Sequence, residues 1–130
     1  MSGAAMEKHR VVVLYCRSLL AAGVARLLKE RRDVESLDLD AQYRDATEGL
    51  KAFRPEVIVL DRRDTDLSRQ VGISDLLAAN PGVKIITLDP YSNEIGVISA
   101  GAQRRVAGTV RSLMREIREA QGETPNAAGS

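Results

Sequence analysis

The chain is poor in the residues that form disulfides, metal clusters and aromatic stacking surfaces. Its 130 residues include one cysteine, one histidine and no tryptophan. A single cysteine excludes a disulfide within the chain and a thiolate zinc cluster, and a single histidine disfavours a histidine-based metal site. One phenylalanine and three tyrosines leave few rings on which nucleic-acid bases could stack. We therefore expect neither a resident metal nor a cofactor.

Excess charge of one sign and long apolar runs are also missing. Lys and Arg number 19 and Asp and Glu number 18, so the whole molecule has no strong attraction to nucleic acid or to a membrane surface. No apolar stretch approaches the ~20 residues that cross a bilayer, and the first ten residues lack the apolar core of a signal peptide. These features predict a cytoplasmic protein whose partners include neither nucleic acid nor membrane.

Strand-like and helix-like apolar patterns alternate along most of the chain. Short apolar runs predict strands at 11–14, 34–39, 57–60 and 83–88, and residues at helical spacing predict helices at 18–31, 43–53 and 71–77. The apolar face of the first helix is assigned to Leu19, Leu20, Gly23, Val24, Leu27 and Leu28, and Ser18 is its predicted N-cap. Arg54-Pro55 should end the second helix, because the residue before proline is pushed out of the α region.

The pattern is weaker after Glu94. Ile95, Ile98 and Ala102 fit a fourth helix, and a stripe from Val106 to Ile117 predicts a last helix ending near residue 120. A fifth parallel strand would have to fit within 103–107. We expect one domain at 10–120 between disordered tails at 1–9 and 121–130. Its predicted fold is doubly wound α/β, a flavodoxin-like three-layer sandwich with four clear parallel strands and an undecided fifth.

The most informative residue is Asp61, which ends the apolar run 57–60. Open α/β sheets place their chemistry at the carboxyl ends of parallel strands, so a carboxylate here is a candidate site residue. The first strand runs into Tyr15 and Cys16, and neither side chain supplies the hard oxygen ligands that magnesium prefers at neutral pH. The sequence therefore predicts an acceptor-like aspartate without metal ligands beside it.

In order and spacing, these elements resemble the receiver domain of two-component response regulators. The resemblance covers about residues 10–102 and is carried by four segments: LLAAGV at 19–24, FRPEVIVLD at 53–61, NPGVKII at 80–86 and SAGA at 99–102. It implies a parallel sheet with helices on both faces. It also implies a signalling domain that acts by binding other proteins rather than as an enzyme.

The resemblance assigns roles to individual residues. Asp61 matches the phosphoacceptor, and Tyr15 and Cys16 stand at the positions of the acid pair that holds magnesium. Asp89 stands where a switch Ser or Thr is expected, and Tyr91 matches an aromatic switch position. The lysine of the family's fifth strand has no counterpart. Because phosphoryl transfer needs its charge neutralised, we expect a pseudo-receiver that works without magnesium-dependent phosphorylation of the aspartate.

Two alternatives stay open at this point. Asp61 could accept a phosphoryl group or bind a cation with help from Asp89 or from the loop acids Asp64 and Asp66. Cys16, directly after the first strand, could instead be a phosphorylated nucleophile, as in proteins similar to the sugar-phosphotransferase IIB domain.

Basic residues near the end of the chain mark a candidate interaction surface. In receivers, the surface built from the fourth helix, fifth strand and fifth helix is the usual one for dimerisation and signalling, and the resemblance implies the same use here. We therefore expect a stand-alone module that binds a protein of a signalling pathway or forms a homodimer through the C-terminal helix region. The predicted surface comprises Arg104, Arg105, Arg111, Arg115 and Arg118.

Overall fold

The computed structural model describes residues 8–41, 46–64, 72–99 and 102–120, and these form six strands and four helices. The predicted tails lie almost entirely outside the described residues. In chain order the elements are β1 (His9–Tyr15), α1 (Leu19–Lys29), β2 (Val34–Asp40), α2 (Ala46–Phe53), β3 (Val57–Asp61), α3 (Ile73–Ala79), β4 (Lys84–Leu88), β5 (Glu94–Ser99), β6 (Ala102–Ala107) and α4 (Val110–Arg118).

The strands form one mixed sheet in the order β2-β1-β3-β4-β5-β6. The four predicted parallel strands are confirmed, since β1 pairs in parallel with β2 and β3, and β3 with β4. β5 and β6 then extend the sheet as antiparallel neighbours. The protein is therefore an α/β protein with a parallel half and an antiparallel half in the same sheet.

Both faces of the sheet carry helices, and each face has its own apolar core. On the first face, valines of β1 and β3 pack against α1 and α4, with Leu28 and Ile117 fully buried. On the second face, Leu14, Ile58 and Ile85 pack against residues of α2 and α3. The alternation of side chains along each strand separates the two cores, and the central strands read as continuous apolar runs because both faces are covered.

The ends of the first two helices follow the predicted signals. The Ser18 hydroxyl accepts a hydrogen bond from the Ala21 amide at 2.9 Å, which confirms the N-cap of α1. α2 ends at Phe53, and Arg54 has a left-handed φ of 54° directly before Pro55. However, the buried face of α1 consists of Ala21, Ala25 and Leu28, and Leu19 is 90% exposed.

The predicted fourth helix is wrong, because Ile95 and Ile98 lie on β5 and Ala102 begins β6. Ile95 and Ile98 have a spacing of three that fits a helix, but Ile95 and Val97 are the buried pair on the first face, which is the period of a strand. Gly96 pairs directly with Thr87 of β4. A Cβ at position 96 would overlap the Thr87 hydroxyl, so glycine permits this close approach.

The undecided fifth strand exists, although it is an antiparallel edge strand rather than a parallel one. Among the described strands β6 pairs with β5 alone, and Ser99 at the end of β5 lies opposite Ala102 at the start of β6. Val106 belongs to β6, so the last helix begins later than predicted, at Val110, with Thr109 as its N-cap. At the other end of the domain, β1 already includes His9, which the sequence placed in the tail.

A buried carboxylate attaches α4 to the sheet. Glu116 is 3% exposed and accepts hydrogen bonds from Lys84 of β4, at 2.9 Å, and from the guanidinium of Arg104 of β6. These two cations, led by the hydrogen bond from Arg104, lower the pKa of Glu116 to about 2. A buried charge is tolerated when it is paired in this way.

No helix in the described ranges is long and apolar enough to cross a membrane.

The ion cluster predicts a specific loss of stability in acid. Glu116→Gln should lower the free energy of unfolding by about 3 kcal/mol at pH 7, because Lys84 then stays buried without its counter-charge. The folded pKa of about 2 lies below the ordinary value of 4.5. The contribution is therefore complete above the ordinary value and is lost as the pH falls toward 2.

Denaturant unfolding of both proteins across this pH range measures the difference. The difference in the free energy of unfolding between wild type and Glu116→Gln should become smaller as the pH falls. Glu119→Gln makes the same substitution at an exposed residue at the C-terminal end of α4. This variant should have nearly the same free energy of unfolding as wild type. A gap that stays constant with pH would contradict the assigned ion pair.

Candidate functional site

Asp61 is the last residue of β3 and lies at the carboxyl edge of the parallel strands, as the sequence predicted. It is 6% exposed. Its Oδ1 accepts a hydrogen bond from the Arg63 amide at 2.8 Å, and its Oδ2 accepts one from the Ser18 hydroxyl at 2.6 Å. Both carboxylate oxygens therefore already have donors from the protein.

Ser18 connects Asp61 to the start of α1. Its hydroxyl donates to Asp61 and accepts from the Ala21 amide, so one side chain both caps the helix and orients the carboxylate. A helix N-terminus favours a nearby negative charge because its first amides lack partners within the helix. The arrangement explains how a buried carboxylate is stabilised here by hydrogen bonds.

A second aspartate occupies the space below the start of α1. Asp64 is 6% exposed, and its Oδ2 accepts hydrogen bonds from the amides of Cys16 at 2.8 Å and Arg17 at 3.0 Å. The resemblance placed an acid pair at Tyr15 and Cys16. Tyr15 is instead half-buried against the first core, and Cys16 is a buried thiol in the second core. The carboxylate of Asp64 thus binds backbone amides at this point.

Asp89 does not meet Asp61. Its Oδ1 accepts hydrogen bonds from the Tyr91 amide at 2.9 Å and from Arg63 Nε at 3.2 Å, and the first of these contributes most to lowering the pKa of Asp89. The Ser92 amide donates to the Asp89 carbonyl, so Asp89 forms the turn after β4. Asp66 lies outside the described residues. Within the described ranges, no group of three or more His, Cys, Asp or Glu side chains could hold a metal ion.

Arg63 joins the two loops that follow β3 and β4. Besides its bond to Asp89, its guanidinium lies over the ring of Tyr91, 5.2 Å from the ring centroid, which is a favourable position for a cation above an aromatic face. Tyr91 remains 81% exposed. The switch-like position Tyr91 is therefore a surface side chain held by Arg63.

A cleft of about 360 Å³ opens between the start of α1 and the loop after β4. Asp61 and Asp64 form part of its wall. Its apolar rim, here called the rim patch, comprises Leu19, Leu20, Pro90 and Tyr91. The large exposure of Leu19 and Tyr91 is uncommon for adjoining apolar side chains on one surface, and such patches mark interaction sites.

The five arginines assigned to an interaction surface do not share one environment. Arg104 is paired with Glu116, and this hydrogen bond raises its pKa. Arg118 donates to Asp33 at 2.6 Å and lowers the pKa of that carboxyl. Arg105 lies 3.9 Å from Glu94 in a loose exposed pair. Arg111 and Arg115 are exposed on α4, so the outer face of α4 keeps its basic character.

Sequence reasoning identified Asp61 and the Ser18 cap but missed their contact with each other. It also missed Asp64 as the acceptor for two amides, and Arg63 as the link to Tyr91. The position of Asp64, three residues after a strand-ending aspartate, was the available signal. A pattern of residue types does not say which of several loop acids turns toward a particular helix.

Comparison of the chain with models of known protein families, with curated proteins and with solved structures gives no significant match. The site is therefore interpreted from its own geometry.

The Ser18 contacts predict a measurable role in stability. Ser18→Ala should lower the free energy of unfolding by about 1–2 kcal/mol, because it removes the cap of α1 and leaves a nearly buried Asp61 oxygen without its donor. Chemical denaturation monitored by circular dichroism measures this change. Ser18→Thr keeps the hydroxyl and should retain most of the stability. Equal losses in both variants would contradict the two-sided role of the hydroxyl.

Proposed function

We propose that the chain is a receiver-like signalling domain that acts by binding another protein and does not need magnesium-dependent phosphorylation of Asp61. The observation that carries this proposal is the rim patch, two of whose side chains, Leu19 and Tyr91, are 90% and 81% exposed beside a carboxylate that is already hydrogen-bonded on both oxygens. The patch offers apolar area for a partner, and Arg63 beside it adds a cation.

The order β2-β1-β3-β4 of the parallel strands supports the receiver resemblance for the first part of the chain. In this interpretation, the protein is a doubly wound, flavodoxin-like domain whose fourth helix and fifth strand are replaced by the β5–β6 hairpin. The hairpin thereby replaces two of the three elements that build the family's usual signalling surface. We therefore assign recognition to the rim patch together with the exposed arginines of α4.

The state of Asp61 supports independence from phosphorylation. A phosphoryl group on Asp61 would displace either the Ser18 hydroxyl or the Arg63 amide, and both stabilise the present arrangement. Asp64, on the loop after β3, accepts hydrogen bonds from two amides of the segment before α1. A divalent ion bound there would have to break those hydrogen bonds first.

The alternative phosphocysteine function has less support. Cys16 is 7% exposed and its amide donates to Asp64, so the thiol lies in the second core rather than over an open anion site. A nucleophilic thiolate needs access and an electropositive environment. We therefore keep protein binding as the proposal and treat phosphorylation as its competitor.

Beryllofluoride with magnesium mimics a phosphoryl group on an aspartate. It therefore distinguishes phosphorylation-independent protein binding from a function that needs phosphorylation of Asp61. We expect no change in molar mass by light scattering and no change in the thermal unfolding midpoint, in wild type or in Asp61→Asn. A stabilisation present in wild type and absent from Asp61→Asn would mean that Asp61 is a working acceptor, and the phosphorylation-independent function would be rejected.

Photo-crosslinking tests the binding surface itself. A benzophenone amino acid placed at Leu19 or Tyr91, in the cells that make this protein, should form a crosslink to one defined protein partner, because these side chains lie on the proposed contact. The control position is Lys51, exposed on α2 at the opposite end of the sheet. Equal crosslinking from all three positions, or none from the rim patch, would contradict the assignment.

A further inference from the structure

On the second face of the sheet, the helices of the described residues leave a groove beside the β5–β6 hairpin. α2 and α3 pack over β1, β3 and the start of β4, but the β5–β6 hairpin extends the sheet past α3. Between α3 and the hairpin lies a groove of about 680 Å³, running from the end of β3 to β6. This volume is within the range of small-molecule sites in proteins, roughly 300–1,000 Å³.

The floor of the groove is apolar with one buried hydroxyl. Leu60, Leu76 and Ile98 line it, and Thr87, which is 8% exposed, lies among them. Opposite Thr87 the strand has Gly96, where a side chain would overlap the hydroxyl. The glycine therefore leaves space beside the Thr87 hydroxyl.

The charged lining is mainly positive. Arg62 and Arg105 are exposed and line the groove together with Gln103. Asp61 is the acid of the lining, and both of its oxygens already accept hydrogen bonds.

The two arginines of β6 are not equally available to a ligand. The guanidinium of Arg104 is paired with Glu116. Arg105 has a loose exposed neighbour, Glu94, at 3.9 Å, and such pairs contribute little. Arg62 and Arg105 therefore present the usable charge.

We propose that this groove binds a small organic anion with an apolar body. The acid group would lie toward Arg62 and Arg105, since guanidinium groups pair well with carboxylates, sulfonates and phosphates. The apolar body would cover Leu60, Leu76 and Ile98, with a polar atom in reach of Thr87. This binding site goes beyond the proposed interaction surface, which uses a different cleft.

The position of the groove gives the ligand a route to influence the rest of the domain. Arg62 directly follows Asp61, and its amide donates to the Leu88 carbonyl, so it is part of the junction between β3 and β4. A ligand in the groove would contact α3, this junction and β6 together. The domain would then respond to a small anion without phosphoryl transfer.

The probe for this test is 1-anilinonaphthalene-8-sulfonate, an apolar aromatic body with one sulfonate, followed by fluorescence titration of the intact chain. We expect saturable binding to one site. Arg62→Gln and Arg105→Gln should each weaken it by about tenfold, as expected when a charge-assisted hydrogen bond is lost. N-phenyl-1-naphthylamine has the same apolar body without the sulfonate. It should bind to the wild-type chain more weakly than the sulfonate does, and its affinity should be the same for wild type, Arg62→Gln and Arg105→Gln.

Matched controls identify the groove. Arg32→Gln, the same charge change at an exposed position between α1 and β2, should leave the affinity unchanged, and Ile98→Trp should fill the groove and reduce binding. If Ile98→Trp fails to fold, amide chemical shifts of the wild-type chain replace it, and they should move at Thr87, Gly96 and Gln103. The proposal is rejected if saturable binding is absent, if Arg62→Gln and Arg105→Gln bind as wild type does, or if the shifts cluster elsewhere.

Discussion

Two aspartates at the end of β3 determine the arrangement of the whole carboxyl edge. Asp64 holds the amides of Cys16 and Arg17, and Asp61 holds the Ser18 hydroxyl, so the chain between β1 and α1 is attached to the loop after β3. A helix start offers unsatisfied amides, and buried carboxylates need donors. Here the amides before α1 and the Ser18 hydroxyl are the donors that the two carboxylates need. The result is a junction filled by the protein's own hydrogen bonds.

The same junction also determines which side chains form the rim patch. With α1 held in this place, Leu19 projects outward next to Pro90 and Tyr91, and Arg63 fixes the Tyr91 ring by reaching across to Asp89. The carboxyl edge is thus occupied by hydrogen bonds within the protein, and its exposed rim is apolar. The proposed protein binding and the proposed independence from phosphorylation both rest on this one set of hydrogen bonds, and for this reason we propose them together.

The β5–β6 hairpin is the second decisive feature. It pairs with β4 in antiparallel fashion, and the groove next to Thr87 lies between the hairpin and α3. On the other face, the hairpin carries Arg104 to the buried Glu116 of α4. A helix at 95–102 was expected because Ile95 and Ile98 have helical spacing. Two isoleucines three apart do not distinguish a helix from a strand whose inward residues are Ile95 and Val97.

Local sequence determined the parallel half of the protein, since continuous apolar runs, the Ser18 cap and the Arg54-Pro55 stop each act over a few residues. It also placed Asp61 at the carboxyl edge, because the end of a strand can be located from the apolar run alone, without knowing which elements pack beside it. Tertiary structure alone decided that Ser18, Asp61 and Asp64 meet, that Glu116 is buried between Lys84 and Arg104, and that Leu19 faces solvent. These depend on which surfaces pack together over separations of tens of residues, and a one-dimensional pattern of residue types does not contain that information.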